Sequence, residues 1–197
     1  MQNPAPGNSS ANPPHRGPRV PVELRELDMR IARDGTWYYR GSPINRLSLV
    51  KLFASVLRRE DDGSYWLVTP AERGRVTVED VPFIAVEVEV QGGDMKGGTM
   101  QDGHMQAGGR DQRLIFRSNL DEIVAAGRDH PLRVETAADG TPLPYILMRP
   151  GLEARLARPV FYELAELGRE EEIDSEIKFG VWSEGVFFEL GDPGEDV

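Results

Sequence analysis

The sequence predicts an α+β fold made of two related subdomains, each a small, mostly antiparallel sheet packed on one helix. Three observations carry this prediction. Asp-Gly turns at Asp34, Asp62 and Asp139 separate short strand-like runs, a pattern typical of hairpins. Each half also contains one segment with apolar residues at helical spacing. Finally, the two halves align without a gap from Gly41 and Gly151 onward, which indicates an internal duplication.

In the first half, "LDMRIARDGTWYYRG" predicts a hairpin around the Asp34-Gly35 turn. The next segment, "SPINRLSLVKLFASVLRRE", predicts a helix with an apolar face formed by Leu49, Leu52, Phe53 and Val56. Ser42 before Pro43 suits the cap and first position of this helix, with Asn45 as the competing cap.

Strands are predicted next in "SYWLVT", "RVTVED" and "FIAVEVEV". In the last of these, alternation predicts one buried face formed by Ile84, Val86, Val88 and Val90. The glycine-rich stretch that follows, residues 91–112, lacks the residue order of a phosphate loop. Its methionines and His104 fit neither a strand face nor a helix face. We therefore expect a flexible hairpin insert of high chain entropy that binds no metal.

In the second half, "RLIFRSN" and "PLRVET" predict strands, and the repeated Asp-Gly-Thr turn predicts another hairpin. Pro159 is compatible only with the first turn of a helix, so the second helix should begin there and end near Gly168. Residues 152–158 would then form an irregular lead-in. The aromatic "GVWSEGVFFELG" predicts a closing hairpin.

Composition limits the class of protein. The chain has 197 residues, a formal net charge of −10 and no cysteine, which disfavours general nucleic-acid binding and excludes disulfides and zinc–thiolate sites. No run reaches the roughly 20 apolar residues of a membrane span, and the N-terminus lacks the apolar core of a signal peptide. We expect a disordered tail at residues 1–21, two subdomains at residues 22–119 and 120–197, and a cytoplasmic location.

Histidine and arginine supply the candidates for chemistry. His130, next to Pro131, lies outside the predicted tail and loop, and its ring suits either a bond to nearby backbone or a catalytic base. Four arginines lie near strand-to-helix corners: Arg46, Arg149, Arg155 and Arg158. Their planar guanidinium groups suit the binding of a carboxylate or phosphate, and pairing with local glutamates is the alternative. The predicted ligand-binding residues are Arg46, His130, Arg149, Arg158, Tyr162 and Trp182.

Several longer motifs resemble one family. They are "DGTWYYRGSPINRLSLVKLFASVLRREDDGSYWLVTPAE", "VPFIAVEV", "DHPLRV", "PYILMRPGLEARLARPVFYEL" and "GVWSEGVFFELG", and the likeness runs from about residue 25 to residue 191. This pattern is similar to the bacterial domain-of-unknown-function family numbered twelve eighty-five. The resemblance implies a duplicated α+β core whose C-terminal half loosely resembles a pleckstrin-homology fold. It also implies a ligand site where the halves meet and a part in signal transduction, and it supplies no catalytic residues.

The sequence therefore predicts a non-catalytic binding or regulatory protein without cofactor, metal or membrane insertion. It makes no prediction of oligomeric state. The groove between the subdomains would hold a peptide, a protein segment or a small anionic ligand. Two alternatives stay open: a hydrolase that uses His130 with nearby carboxylates, and local nucleic-acid binding through the strand Arg110–Arg117, which the global charge disfavours.

Overall fold

In the part of the chain that the structure describes, two large β-sheets, a small third sheet and two short helices form the fold. The structure, a computed structural model, describes residues 22–24, 26–92 and 109–191. The predicted tail and most of the glycine-rich loop, including its three methionines and His104, lie outside the described residues.

The first sheet is built from the N-terminal part of the chain. Its unit contains β1 Val22–Leu24, β2 Met29–Ile31, β3 Trp37–Tyr39, β4 Ser42–Pro43, α1 Leu47–Ser55, β5 Leu57–Arg59, β6 Tyr65–Val68 and β7 Glu72–Val78. The strand order is β4-β3-β2-β7-β6-β5, and β2 runs parallel to β7 while the other neighbours are antiparallel. β1 also pairs in parallel with β7. We call residues 22–81 the N-terminal unit.

The C-terminal unit, residues 83–191, contains the other two sheets. Its elements are β8 Phe83–Gln91, β9 Arg113–Ser118, β10 Ile123–Ala125, β11 Leu132–Thr136, β12 Pro142–Arg149, β13 Leu152–Leu156, α2 Arg158–Glu166, β14 Arg169–Ile173, β15 Glu176–Ser183 and β16 Val186–Glu189. The six-stranded sheet has the order β10-β9-β8-β13-β12-β11, in which β8 and β13 are parallel, and β14-β15-β16 form an antiparallel meander. The predicted division at 119/120 lies inside the six-stranded sheet. The pleckstrin-homology likeness of this half stays a prediction.

The two units repeat one series of elements: three strands, a helix and a three-stranded meander. β2–β4, α1 and β5–β7 correspond in order to β11–β13, α2 and β14–β16. Their hairpin turns also match, because Asp34 Oδ1 accepts a hydrogen bond from Thr36 N–H at 2.9 Å and Asp139 Oδ1 accepts one from Thr141 N–H at 3.0 Å. The predicted duplication is confirmed.

Each helix buries the same two positions of the repeat. They are Val50 and Ala54 in α1, and Val160 and Leu164 in α2. The predicted face of α1 is therefore wrong in part, since Leu52 is 61% exposed. Both helices have nine residues, and in the part of the chain that the structure describes no helix is long and apolar enough to cross a membrane.

The corners before the helices differ from the predicted ones. Ser42 and Pro43 form β4 instead of a helix start, and α1 begins after Arg46, whose side chain makes no capping hydrogen bond. Pro159 lies in the first turn of α2, as predicted. The predicted irregular lead-in at 152–158 is wrong, because most of it is β13, which pairs with both β12 and β8. Those two neighbours satisfy its backbone groups.

β8 changes its buried face part-way along the strand. Phe83 and Ala85 are buried, and the pairing with β9 then shifts register after Ala85. This bulge leaves Val86 exposed, because one extra residue reverses the alternation of a strand. The predicted single apolar face is therefore wrong, and Val88 and Val90 pack against the core on the same side as Phe83.

One continuous hydrophobic core runs through both units. It connects Ile31 and Trp37 of the first sheet with Phe83 and Phe116 of the second and with Val181 of the third. Interfaces between independent domains are smaller and more polar than such a core. The two units therefore pack against each other through one shared interior.

Candidate functional site

A cleft of about 470 Å³ opens where the two units meet. Its walls are the β5–β6 turn and the β12–β13 corner: Arg59, Glu60, Asp61, Gly63, Pro150 and Gly151. We call it the junction cleft. The walls approach closely, because a Cβ atom on Gly151 would lie 3.3 Å from Arg59 Cβ. Gly151 also has a φ of +72°, which glycine adopts without strain.

A hydrogen-bonded turn holds the first wall in place. Gly63 N–H donates to Glu60 O at 2.9 Å, and Ser64 N–H donates to Asp62 Oδ1 at 2.9 Å. Hydrogen bonds from the Ser64 hydroxyl and N–H lower the pKa of Asp62. Asp-Gly sequences commonly close turns in this way. The turn holds the backbone of the cleft wall in one conformation.

The junction cleft carries charges of both signs. Glu60 pairs with Arg73 at 3.5 Å, whereas Arg59 and Asp61 form no ion pair with any described residue. The Arg59 guanidinium lies 5.6 Å from the centre of the Tyr65 ring, and burial raises the pKa of Tyr65. Among the described residues of the cleft, one cation and one anion thus have no ion-pair partner and are available to a ligand.

Three of the predicted site residues lie at the helices, outside the walls of the junction cleft. Arg46 precedes α1, and its Nε donates to Ser48 Oγ at 3.2 Å. Arg158 begins α2 and is exposed, and Tyr162 on the same helix is 60% exposed. Within the described ranges, no hydrogen bond or ion pair joins any two of the six predicted residues. The structure therefore does not bring them together as one cluster.

His130 and Trp182 use their ring nitrogens within the fold. His130 Nδ1 lies 2.9 Å from Leu147 O, so a hydrolase role would have to use Nε2. Trp182 Nε1 donates to Glu171 Oε1 at 3.2 Å, and the Arg110 guanidinium lies 4.5 Å from the centre of its ring. Both side chains are thus oriented by neighbours in the C-terminal unit.

The predicted strand at residues 110–117 begins only at Arg113, because Arg110 lies in the preceding turn. The three arginines of this segment each face a carboxylate. The pairs are Arg110 with Glu171, Arg113 with Glu184, and Arg117 with Glu87. A nucleic-acid backbone would have to compete with these glutamates, which lowers the gain from each phosphate contact. Among the residues that the structure describes, no group of three or more His, Asp or Glu side chains is placed to hold a metal ion.

Arg149 connects the two units. Its Nη2 donates to Ala54 O, near the C-terminal end of α1, at 2.8 Å and to Glu122 Oε1 at 3.0 Å. The guanidinium also lies 5.2 Å from the centre of the Phe83 ring. Carbonyl groups at the end of a helix carry partial negative charge. Arg149 therefore neutralises a helix end in one unit while it pairs with a carboxylate of the other.

Replacing Arg149 by alanine is expected to lower the free energy of unfolding by about 2 kcal/mol, the scale of hydrogen bonds to charged groups. The substitution leaves Glu122 and the Ala54 carbonyl without this hydrogen-bond donor. Urea unfolding measures the change in the free energy of unfolding. Arg158→Ala is the matched control and should stay within about 0.5 kcal/mol because Arg158 is exposed. Unchanged stability together with weakened ligand binding in Arg149→Ala would instead support the binding role predicted from the sequence.

A second bridge between the units escaped the sequence analysis. The Asp80 carboxylate accepts hydrogen bonds from the Tyr145 hydroxyl and from Arg155 Nη1, each at 3.1 Å. Arg155 Nη2 also donates to Arg33 O at 2.9 Å. Burial, together with the Asp80 charge, raises the pKa of Tyr145 to about 12. Asp80 lies between β7 and β8, where the sequence carries no signal except a turn before proline.

Two solved structures of DUF1285 family proteins are similar to this chain. A DUF1285 family protein from Silicibacter pomeroyi DSS-3 is 41% identical, with a TM-score of 0.74, over 90% of this chain and 89% of that one. A DUF1285 family protein from Shewanella baltica OS155 is 25% identical, with a TM-score of 0.49, over 72% of this chain and 92% of that one. No curated protein matches the chain.

Family models match both units. The model described as "Domain of unknown function (DUF1285), N-terminal domain" covers residues 18–81. The model described as "Protein of unknown function (DUF1285), C-terminal domain" covers residues 99–190. Together they span most of the chain and agree with the resemblance found in the sequence motifs, and so the chain belongs to the DUF1285 family.

Proposed function

We propose that the protein is a non-catalytic regulatory module that holds a peptide segment in the junction cleft. The main support for the proposal is the location of the cleft at the boundary between the units. A turn of the N-terminal unit and a corner of the C-terminal unit form its walls. Ligand sites lie preferentially at such boundaries. The volume of about 470 Å³ also falls within the range of roughly 300–1,000 Å³ that is usual for ligand pockets.

The charges of the cleft favour a peptide over a small anion. Arg59 forms no ion pair with any described residue, but the Asp61 carboxylate, which likewise has no partner among them, lines the same cleft and repels a lone carboxylate or phosphate. A peptide segment instead presents carbonyl oxygens, amide N–H groups and side chains of both signs. It can therefore use Arg59 and Asp61 together.

A ligand that contacts both walls links binding to the arrangement of the units. Binding shifts a protein toward the conformation that makes the better contacts with the ligand. The interactions that such a shift would alter are the Arg149 bridge to Ala54 and Glu122 and the Asp80 bridge to Tyr145. This dependence is the physical basis on which we propose a regulatory part for the protein in bacterial signal transduction.

Peptide selection from a random displayed library against the full chain tests the proposal. Selected peptides, measured by calorimetry, are expected to bind the double variant Arg59→Ala with Asp61→Ala at least about tenfold more weakly, because two charge-assisted contacts are lost. The melting temperature should not change, since both side chains are exposed.

The matched control is Arg128→Ala, which removes an exposed arginine outside the junction cleft and should leave peptide affinity unchanged. Selection that enriches no peptide would contradict the proposal, as would enriched peptides that bind the double variant as tightly as the unmodified chain.

A further inference from the structure

A larger cleft, of about 640 Å³, lies wholly within the N-terminal unit. Its polar and charged lining residues include Glu26, Asp28, Arg30, Tyr38, Arg75 and Thr77. We call it the β7 cleft, because residues 75–78 of β7 line it. It is separate from the junction cleft, although Gly63 borders both.

The path of the chain between β1 and β2 shapes this cleft. Leu27 turns inward and covers Gly74, where any Cβ atom would overlap the leucine side chain. Leu27 N–H also donates to Arg75 O at 3.1 Å. Because Leu27 is anchored against the sheet, its neighbours Glu26 and Asp28 are exposed and line the cleft. The two carboxylates that flank Leu27 in the sequence therefore both line the cleft.

The cationic groups of the cleft differ in their availability. The Arg30 guanidinium pairs with Glu79 and lies 4.1 Å from the centre of the Tyr38 ring, so its charge is already compensated. Arg75 is exposed and forms no ion pair with any described residue. The same holds for Glu26 and Asp28. Among the described residues, the β7 cleft thus combines two carboxylates and one guanidinium that form no ion pair.

We propose that the β7 cleft binds a small zwitterion of the α-amino acid or short free-peptide class. Its ammonium group would lie between Glu26 and Asp28, and its carboxylate would accept hydrogen bonds from the planar fork of Arg75. Thr77 and Tyr38, which carry hydroxyl groups, also line the wall. This site binds free termini, whereas the junction cleft is proposed to hold the interior of a peptide segment.

The dipeptide alanyl-alanine tests the proposal with its N-acetylated and C-amidated forms as controls. Titration of the full chain, followed by NMR, is expected to shift resonances of residues 26–30 and 75–78. Each blocked form should bind at least about tenfold more weakly, because each lacks one of the two charges. Absence of localised shifts at millimolar dipeptide, or equal affinity of the blocked forms, would overturn the proposal.

Two exposed-site variants assign each charge to its partner. Arg75→Gln should weaken alanyl-alanine about tenfold and leave the C-amidated form unchanged, since that form has no carboxylate. Asp28→Asn should weaken alanyl-alanine and leave the N-acetylated form unchanged. If either variant weakened all three forms equally, the charge assignment would be wrong. The junction variant Arg59→Ala with Asp61→Ala should not alter this binding, which separates a failure here from a failure of the proposed function.

Discussion

Leu164→Ala is expected to lower the free energy of unfolding by about 3 kcal/mol, within the range measured for large-to-small substitutions in cores. Leu164 is 0% exposed on α2 and belongs to the continuous core. Alanine would remove buried apolar surface and leave a cavity that a sheet-packed helix closes only in part. Urea unfolding measures the change in the free energy of unfolding. An unchanged m-value would show that unfolding remains two-state.

Leu52→Ala is the matched control, because it makes the same chemical change on the exposed side of the other helix. We expect an effect within about 0.5 kcal/mol, as for most surface substitutions. Equal losses in the two variants would mean that the helices bury different positions of the repeat, and the correspondence of Val50 and Ala54 with Val160 and Leu164 would fail.

Local chemistry explains which parts of the fold were predictable. An Asp-Gly turn depends on residues two apart in sequence, since the aspartate oxygen accepts from the following backbone. The turns at Asp34 and Asp139 were therefore found correctly, and so was their repetition. Proline likewise excludes itself from a helix interior, which placed Pro159 at the start of α2.

Strand partners depend on distant residues and were not predicted. The parallel pairings of β2 with β7 and of β8 with β13 join segments that are far apart in the chain. Alternation identifies a strand, but every amphipathic strand offers the same unpaired edges to all others. For the same reason the predicted division at 119/120 separates strands that lie in one sheet. The bulge at Val86 was missed because it depends on the register with β9.

The arginine sites show the same limit. Arg149 finds its carbonyl partner 95 residues away, and Arg155 finds one 122 residues away. A sequence can place an arginine near a corner without showing what the corner faces. The Arg59-Glu60 pair recurs as Arg169-Glu170 in the second repeat. That recurrence reflects the duplication and does not by itself indicate a cleft.

Gly180→Ala is expected to lower the free energy of unfolding by about 3 kcal/mol, at the upper end of the usual cost of overpacking. A Cβ atom on Gly180 would overlap Phe188 O and lie 2.6 Å from Phe187 Cζ. The phenylalanine ring can rotate away at moderate cost. The carbonyl belongs to the paired backbone of β16, so relief of that contact requires β15 and β16 to separate.

Gly140→Ala separates crowding from backbone strain. Gly140 has a φ of +86° and no atom within 4 Å of the position of a Cβ, so alanine there should cost about 1 kcal/mol, from the left-handed conformation alone. In thermal unfolding, the melting temperature of Gly180→Ala should therefore be well below that of Gly140→Ala. If the two variants melted together, the hairpin of β15 and β16 could open without loss of core contacts, and the aromatic packing of Phe187 over Gly180 would contribute nothing to the stability of the C-terminal unit.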